Sequence, residues 1–381
     1  MAVANTNSPF LKRLALALFC ILSIGFLIFI GQDIIIPVAF SILLGVLLLP
    51  INNLMERKGF TRVAAIMISL FIALLFIAGL IYFLSSQIAN FVDDLPTIKK
   101  QLDQHVRTLQ RWVSQTFSIS RSEQKEVLDD AAQQLKGESG SSLLGQTFLS
   151  ITSYLVILIL LPIYTFLILY YRDMIKRFLI NVFTITHKEK VMEVLKESRI
   201  IVQSYMMGLL IEMGIVATIN ISGFLILGIK YAFFLGLLAA LLNLIPYIGM
   251  LIASVFCMMV TLTTSTDITQ VLYVLLVLVV VQFIDNNLIM PKIVGSKVKI
   301  NALMTILGVL IGGSIAGVSG MFLSIPVVAI MKVIFDRVEG LEPWGELLGD
   351  DITGQKRSRL YRRLAKLRAQ KKKEELAEKN E

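Results

Sequence analysis

Residues 231–264 read YAFFLGLLAALLNLIPYIGMLIASVFCMMVTLTT, without one charged side chain. A helix needs roughly 20 apolar residues to cross about 30 Å of hydrocarbon. This run is too long for one crossing. It is also too short for two, because Pro246 and Gly249 leave halves of about 15 residues, near 22 Å at about 1.5 Å per residue. The pattern predicts a re-entrant hairpin of two half-helices. Irregular backbone at membrane depth is tolerated only where protein covers it or where it lines a watery cavity. Residues 301–335 repeat the case, interrupted at Gly312, Gly313, Gly317 and Gly320.

The surroundings agree with a membrane reading. The chain has 381 residues, 56% hydrophobic and 17% charged, against about 45–50% and 25% in soluble domains. Apolar runs at 14–31, 34–51, 62–84, 147–171, 201–229 and 268–290 are long enough to be full spans. The first follows Lys12 and Arg13 with no small-residue cleavage site after it, so it reads as an uncleaved span rather than a signal peptide. The predicted fold is therefore an all-α polytopic membrane protein with six full spans and two re-entrant helical hairpins. Short basic loops set the orientation. Arg57, Lys58 and Arg62 follow span two. Arg172, Lys176, Arg177, Lys188 and Lys190 follow span four, and Lys292, Lys297 and Lys299 follow span six. Loops 31–33 and 264–267 hold no Lys or Arg. Both termini are thus expected in the cytoplasm.

Between spans three and four, apolar residues recur at helical spacing from Ile88 and Phe91 through Leu95, Ile98 and Leu102 to Val113. A second helix is expected over 123–135, closed by the flexible KGESGSS. This small extracytoplasmic helical insertion must cover its apolar stripe, either on the chain's own spans or on a neighbouring subunit. The expected organisation is a frame at 1–84, the insertion at 85–146, a fourth span and linker at 147–200, a transport domain at 201–338 and a basic tail at 339–381.

Within 201–338, span five leads into one hairpin and span six into the other, entering from opposite sides. Oppositely oriented repeats with broken helices recur in secondary transporters, whose sites lie at the repeat interface. Freed helix ends carry partial charges suited to an ion or polar solute. Each span also holds one deep carboxylate, Glu212 and Asp285. An ionisable group inside a span costs about 2.5–3.5 kcal/mol even on lenient scales, so a functional role is the default. The plain alternative for Asp285-Asn286-Asn287 is solvation at the cytoplasmic interface beside Lys292. A buried carboxyl holds its proton more readily than one in water, the property a proton-coupled carrier needs. For Glu212 the plain alternative is a hydrogen bond to a neighbouring helix, and Asn220 is weaker evidence of the same kind. Asn amides offer donors and acceptors to a polar solute or a partly dehydrated ion. For Pro246, Gly249, Gly312, Gly313, Gly317 and Gly320 the alternative to hairpin tips is close helix packing.

The run Asn243-x-x-Pro246-x-x-Gly249, then Asp285-Asn286-Asn287-x-x-x-Pro291-x-x-x-Gly295, then Gly312-Gly313, Gly317, Gly320 and Pro326, resembles the AI-2E (autoinducer-2 exporter-like, PerM) family of bacterial inner-membrane transporters. The resemblance runs from the first span to about residue 338 and is most specific over 243–326. It implies a permease with an extracytoplasmic insertion and a homo-oligomer, with a pentamer as one form. It also implies export of an autoinducer-2-like signal or, from other members, sodium/proton antiport with a sodium ion near Asp285. Family members often carry Glu where this chain has Asp285, a carboxylate of shorter reach.

Other classes fit less well. GVSG at 317–320 looks like a serine-protease turn, but the only histidines, His105 and His187, lie outside the spans. No phosphate-binding Gly-x-x-x-x-Gly-Lys motif is present, so no enzyme activity, ATP use or cofactor is expected. A channel or oligomeric scaffold is the remaining alternative. The basic tail, with Leu360, Leu364 and Leu367 on one helical face, suits anionic lipid better than nucleic acid.

Overall fold

The computed structural model describes residues 9–94, 96, 100–101, 104, 107–108, 111, 159–183, 188–246, 248–265, 267–293 and 300–350. Every regular element among them is helical. In chain order they are α1 (Pro9–Ile30), α2 (Gln32–Arg57) and α3 (Arg62–Asp93), then α4 (Ile159–Tyr170). There follow α5 (Arg172–Val182), α6 (Lys188–Ile226), α7 (Ala232–Leu242), α8 (Ile248–Thr264) and α9 (Thr269–Ile284), which continues through a π turn (Asp285–Ile289) to Met290–Ile293. The last are α10 (Ala302–Phe335) and α11 (Glu342–Leu348). By length and composition α2, α3, α6, α9 with its continuation, and α10 could each cross a membrane. The expected spans 34–51 and 62–84 lie within α2 and α3; 201–229 runs three residues past the end of α6 at Ile226, and 268–290 begins one residue before α9. The expected span 14–31 matches α1 except for its last residue, Gly31. Span 147–171 is described only from residue 159, and the 123–135 helix lies outside the described residues.

Two boundaries differ from expectation. No loop separates α1 from α2. Gly31 alone breaks the run with φ −86°, ψ 9°, and its carbonyl still accepts from Ile34 and Ile35 N–H. Helical bonding therefore passes almost uninterrupted through the junction. Nor does α3 stop near residue 84; its 32 residues reach Asp93, about 48 Å at 1.5 Å per residue. Nothing in LSSQIANFV breaks a helix, so α3 runs on without interruption into the start of the expected insertion.

The α2–α3 turn is written locally. Gly59 takes φ +93°, the left-handed conformation that ends helices and favours glycine. Thr61 Oγ1 then accepts from Ala64 N–H at 3.4 Å, a weak N-cap. Arg62 donates to Asp173 at 2.8 Å and to the Leu169 carbonyl at 2.9 Å. Arg172 pairs with Glu56 at 2.6 Å. These bonds tie α2, α3 and the α4–α5 corner at one end, over a core of Leu48, Ile66, Leu70 and Leu169.

The 11 residues of α7 run about 16 Å. Glycine lets it lie close on α6, where a Cβ at Gly236 would strike the Ile221 backbone. Phe224, Leu235, Cys257, Val260 and Val274 form the core joining α6 to α9. Gly228 and Ile229 before α7, Ser265 after α8 and Gln270 in α9 line one small pocket. The α7–α8 hairpin therefore starts and finishes at one end of the bundle. The second hairpin lies inside α10. Ala316 (φ −139°, ψ 25°) and Gly317 (φ +57°, ψ −142°) leave the helix there, and a Cβ at Gly312 would strike the Gly320 carbonyl across the two arms. Asn301 before it donates to the Leu347 carbonyl at 2.6 Å, and Lys190 at the start of α6 bonds to Glu339 at 2.5 Å. The second hairpin thus starts and finishes at the opposite end from the first. Its returning arm packs on α6 and α2 through Leu323, Val202 and Leu43.

The far end of α3 docks on the α6–α7 corner. Tyr231 is held at φ +64°, a conformation uncommon outside glycine. Its hydroxyl donates to Asp94, Lys230 forms an ion pair with the same carboxylate, and its ring meets Phe91 edge-on at 6.0 Å. The Lys230 ammonium, with the Tyr231 hydroxyl, holds the Asp94 carboxyl below its ordinary range. A depressed carboxylate stabilises the folded contact above its unfolded pKa and loses that contribution as pH falls through the folded value. The latch is therefore intact at neutral pH and lost as pH falls below the ordinary carboxylate range. Asp94→Asn is expected to raise amide exchange modestly at 228–231 at neutral pH, because exposed ion pairs contribute little. Hydrogen-exchange mass spectrometry checks this, and unchanged exchange would count against the latch.

Candidate functional site

Helix α6 carries Glu212 on its buried face, 6% exposed, in line with Tyr205 and Asn220, each 2% exposed. Tyr205 lies two turns before Glu212 and Asn220 about two turns after it. Val202, Tyr205, Leu209, Glu212, Val216 and Asn220 are all buried, a spacing of three or four residues that marks one helix face. Tyr205 is not among the residues the sequence singles out, since a tyrosine in a span carries no charge; its i−7 spacing from Glu212 is the signal that places it on the same face.

Asp285 reaches the same place from α9, 2% exposed. It opens the π turn, where Met290 N–H bonds back five residues to the Asp285 carbonyl. Pro291 accounts for the turn. Proline lacks the N–H that would bond to Asn287, and its ring crowds that carbonyl. A wider turn accommodates it, so the helix continues to Ile293, three residues past the expected span 268–290. Such π bulges are frequent at functional sites.

The third contributor is the hairpin turn between α7 and α8. Asn243 Nδ2 donates to Asp285 Oδ2 at 3.0 Å. Pro246 sits in this turn. Gly249 opens α8 so close to α7 that a Cβ would meet the Leu242 carbonyl. Glu212 and Asp285 are both buried where α6 packs against the π turn, close enough for their carboxyl groups to interact. Glu212 Oε2, Asp285 Oδ1 and Asn220 Oδ1 are buried with no donor among the described residues. Buried polar atoms are nearly always paired, so, with the Asn220 oxygen about two turns further along α6, the orphaned Glu212 and Asp285 oxygens mark this pair. Its oxygens are hard donors, suited in kind to a proton shared between carboxylates or to a small cation such as sodium.

The remaining predicted residues sit elsewhere. Asn286 and Asn287 are exposed on the other side of the π turn. Asn286 accepts from Gln282 at 2.9 Å, and Asn287 donates to the Phe283 carbonyl at 2.8 Å. They do not join Asp285, because neighbouring helix positions face different ways. Only Gly317 is at the tip of the second hairpin. Gly312 and Gly320 are on its stems, where they let the arms touch, and Gly313 faces Met321; for these three the packing alternative holds. Pro326 is buried in the returning arm, Pro291 is exposed, and Gly295 lies outside the described residues.

Comparison of the sequence with known proteins points to one family. The sequence profile described as AI-2E family transporter matches residues 16–340. YueF of Bacillus subtilis (strain 168) is similar at 27% identity over 299 residues, 75% of this chain and 79% of that protein. YhhT of Escherichia coli (strain K12) is 23% identical over 338 residues, 87% and 91% of the two chains. A shorter match, 27% over 124 residues, covers 32% of this chain and 36% of AI-2 transport protein TqsA of Escherichia coli (strain K12). With a profile match over most of its length and helices of membrane-crossing size, this chain is a multi-pass membrane protein with a transport role and belongs to the AI-2E transporter family.

Proposed function

We propose that this protein is a secondary transporter of the bacterial cytoplasmic membrane, with both termini in the cytoplasm. It works by alternating access coupled to protons or sodium through Glu212 and Asp285. The observation that carries the reading is the buried carboxylate pair beside the Asn243 turn, with orphaned oxygens at its centre. Two bare carboxylates this close in a low-dielectric site repel strongly. A proton or cation must therefore accompany the pair whenever it is shut away from water, and that requirement is the coupling. The α7–α8 and α10 hairpins are re-entrant in this scheme. Their oppositely directed approach supports two access routes meeting near the pair, as in other inverted-repeat carriers. Around them α1–α4 and the insertion form a homo-oligomeric frame.

The transported solute is small and polar. An autoinducer-2-like signal, moved outward, is the leading candidate through the similarity to TqsA. A sodium/proton antiporter is the second reading, and the carboxylate pair favours it, since the pair alone suffices to trade one cation for another. Purified protein in proteoliposomes tests both. Saturable, counterflow-competent movement of autoinducer-2 supports export of the signal. Sodium-driven proton movement without signal flux supports the antiporter. Non-saturating conductance would identify a channel and end the carrier reading.

A further inference from the structure

At the end of the bundle where α6 begins and α10 returns there is a cleft that the transport site does not use. It encloses about 490 Å³, and its floor is apolar, formed by Leu179 and Phe183 after α4, Val191 and Val194 of α6, and Ile334 and Val338 at the end of α10. The basic side chains on its rim are engaged with acids. Lys190 bonds to Glu339 at 2.5 Å, and Arg337 contacts Glu197 and lies 3.9 Å from Glu193. The acids still reach water, with the Glu193 and Glu339 side chains 67% and 82% exposed. From Asp336 to Asp350 the chain carries Glu339, Glu342 and Glu346, and Arg337 is its one Lys or Arg. An apolar floor whose rim cations are already paired, with the exposed Glu339 carboxylate on the rim and Glu193 beside it, suits an amphipathic segment with basic residues that reach those acids.

The chain supplies such a segment. Residues 352–373 hold no Asp or Glu, and Leu360, Leu364 and Leu367 recur at helical spacing among Arg359, Arg362, Arg363 and Lys366. The segment starts at the right end of the bundle, because Asn301 Nδ2 holds the Leu347 and Gly349 carbonyls at 2.6 and 3.0 Å. The stretch from Asp350 to Leu360 extends to about 33 Å, enough to return past α11 to Val338. We propose that the leucine stripe of the 351–381 tail docks in this cleft, its Arg and Lys residues set against Glu193 and Glu339. Docked there, the tail ties α5 and α6 to the returning arm of α10.

The test uses the full chain in zwitterionic nanodiscs and follows trypsin cleavage of the tail. Cleavage tracks the population of the open form. It is expected to be slow in the native chain and at least about tenfold faster in Val338→Arg and in Leu364→Arg. In a Cys20→Ser background, Val338→Cys with Leu364→Cys should form an intramolecular disulfide, and this pair decides alone should Val338→Arg fail to fold. Equal cleavage of native and variant tails, with no cross-link, would overturn the proposal. So would protection that appears only with anionic lipid and persists in Val338→Arg, which assigns the tail to the membrane surface.

Discussion

Asp285→Asn and Glu212→Gln are each expected to lower coupled flux by about ten- to a hundredfold without lowering the melting temperature. The magnitude follows from a hydrogen bond to a charged partner, about 1.5–3 kcal/mol, which is that range in an equilibrium constant. Stability moves the other way because each amide brings a donor to a place where Glu212 Oε2 and Asp285 Oδ1 have none. Asn at 285 can donate to Glu212, and Asn243 can turn its carbonyl to Asn at 285. Removing like charge from a buried pair also relieves repulsion. A fall in flux with unchanged or higher thermal stability is thus the signature of a functional pair. Flux that persists in both variants would show that the pair is only structural, whatever the melting curves say. Proteoliposome flux and melting of the same preparations provide the two measurements.

Gly320→Val is expected to cost about 3 kcal/mol or more, the upper end of overpacking, whereas Gly313→Ala should cost less than about 1 kcal/mol. The contrast rests on what each new side chain meets. At Gly320 it meets the Gly312 carbonyl and at Gly312 the Gly320 carbonyl, and neither backbone can swing aside. At Gly313 it meets the Met321 methyl end at 2.7 Å, and methionine adapts readily. Gly317→Ala meets nothing within 4 Å, but φ +57° would strain alanine by about 1–3 kcal/mol. Thermal unfolding of the purified variants ranks them. Equal costs at 313 and 320 would argue against apposed arms in α10.

These predictions depend on different kinds of legibility. Pro246 and Gly249 in 231–264 and the glycines of 301–335 announced breaks in otherwise apolar runs, and breaks lie in both. Backbone punctuation of this sort is a local property: a proline removes its own donor wherever it stands, and a glycine permits φ +57° wherever a turn needs it. The charges at Glu212 and Asp285 were visible for the same reason, since their cost in lipid depends on residue type before it depends on neighbours.

Direction is another matter. Asp285, Asn286 and Asn287 are consecutive, yet only Asp285 faces Glu212, because a π turn forced by Pro291 sets which side chain points inward. Gly312, Gly313, Gly317 and Gly320 looked alike as breakers, and only packing separated the tip from the stems. The sequence by itself determined that the chain is helical, lies in a membrane, and carries two interrupted hairpins and two buried acids. Composition and breaker residues act through solvation and local sterics, which need no partner. The tertiary structure alone decided that Glu212, Asp285 and Asn243 meet, because that meeting joins positions far apart in the chain through the rotation of α6, the phase of α9 and the reach of the α7–α8 turn.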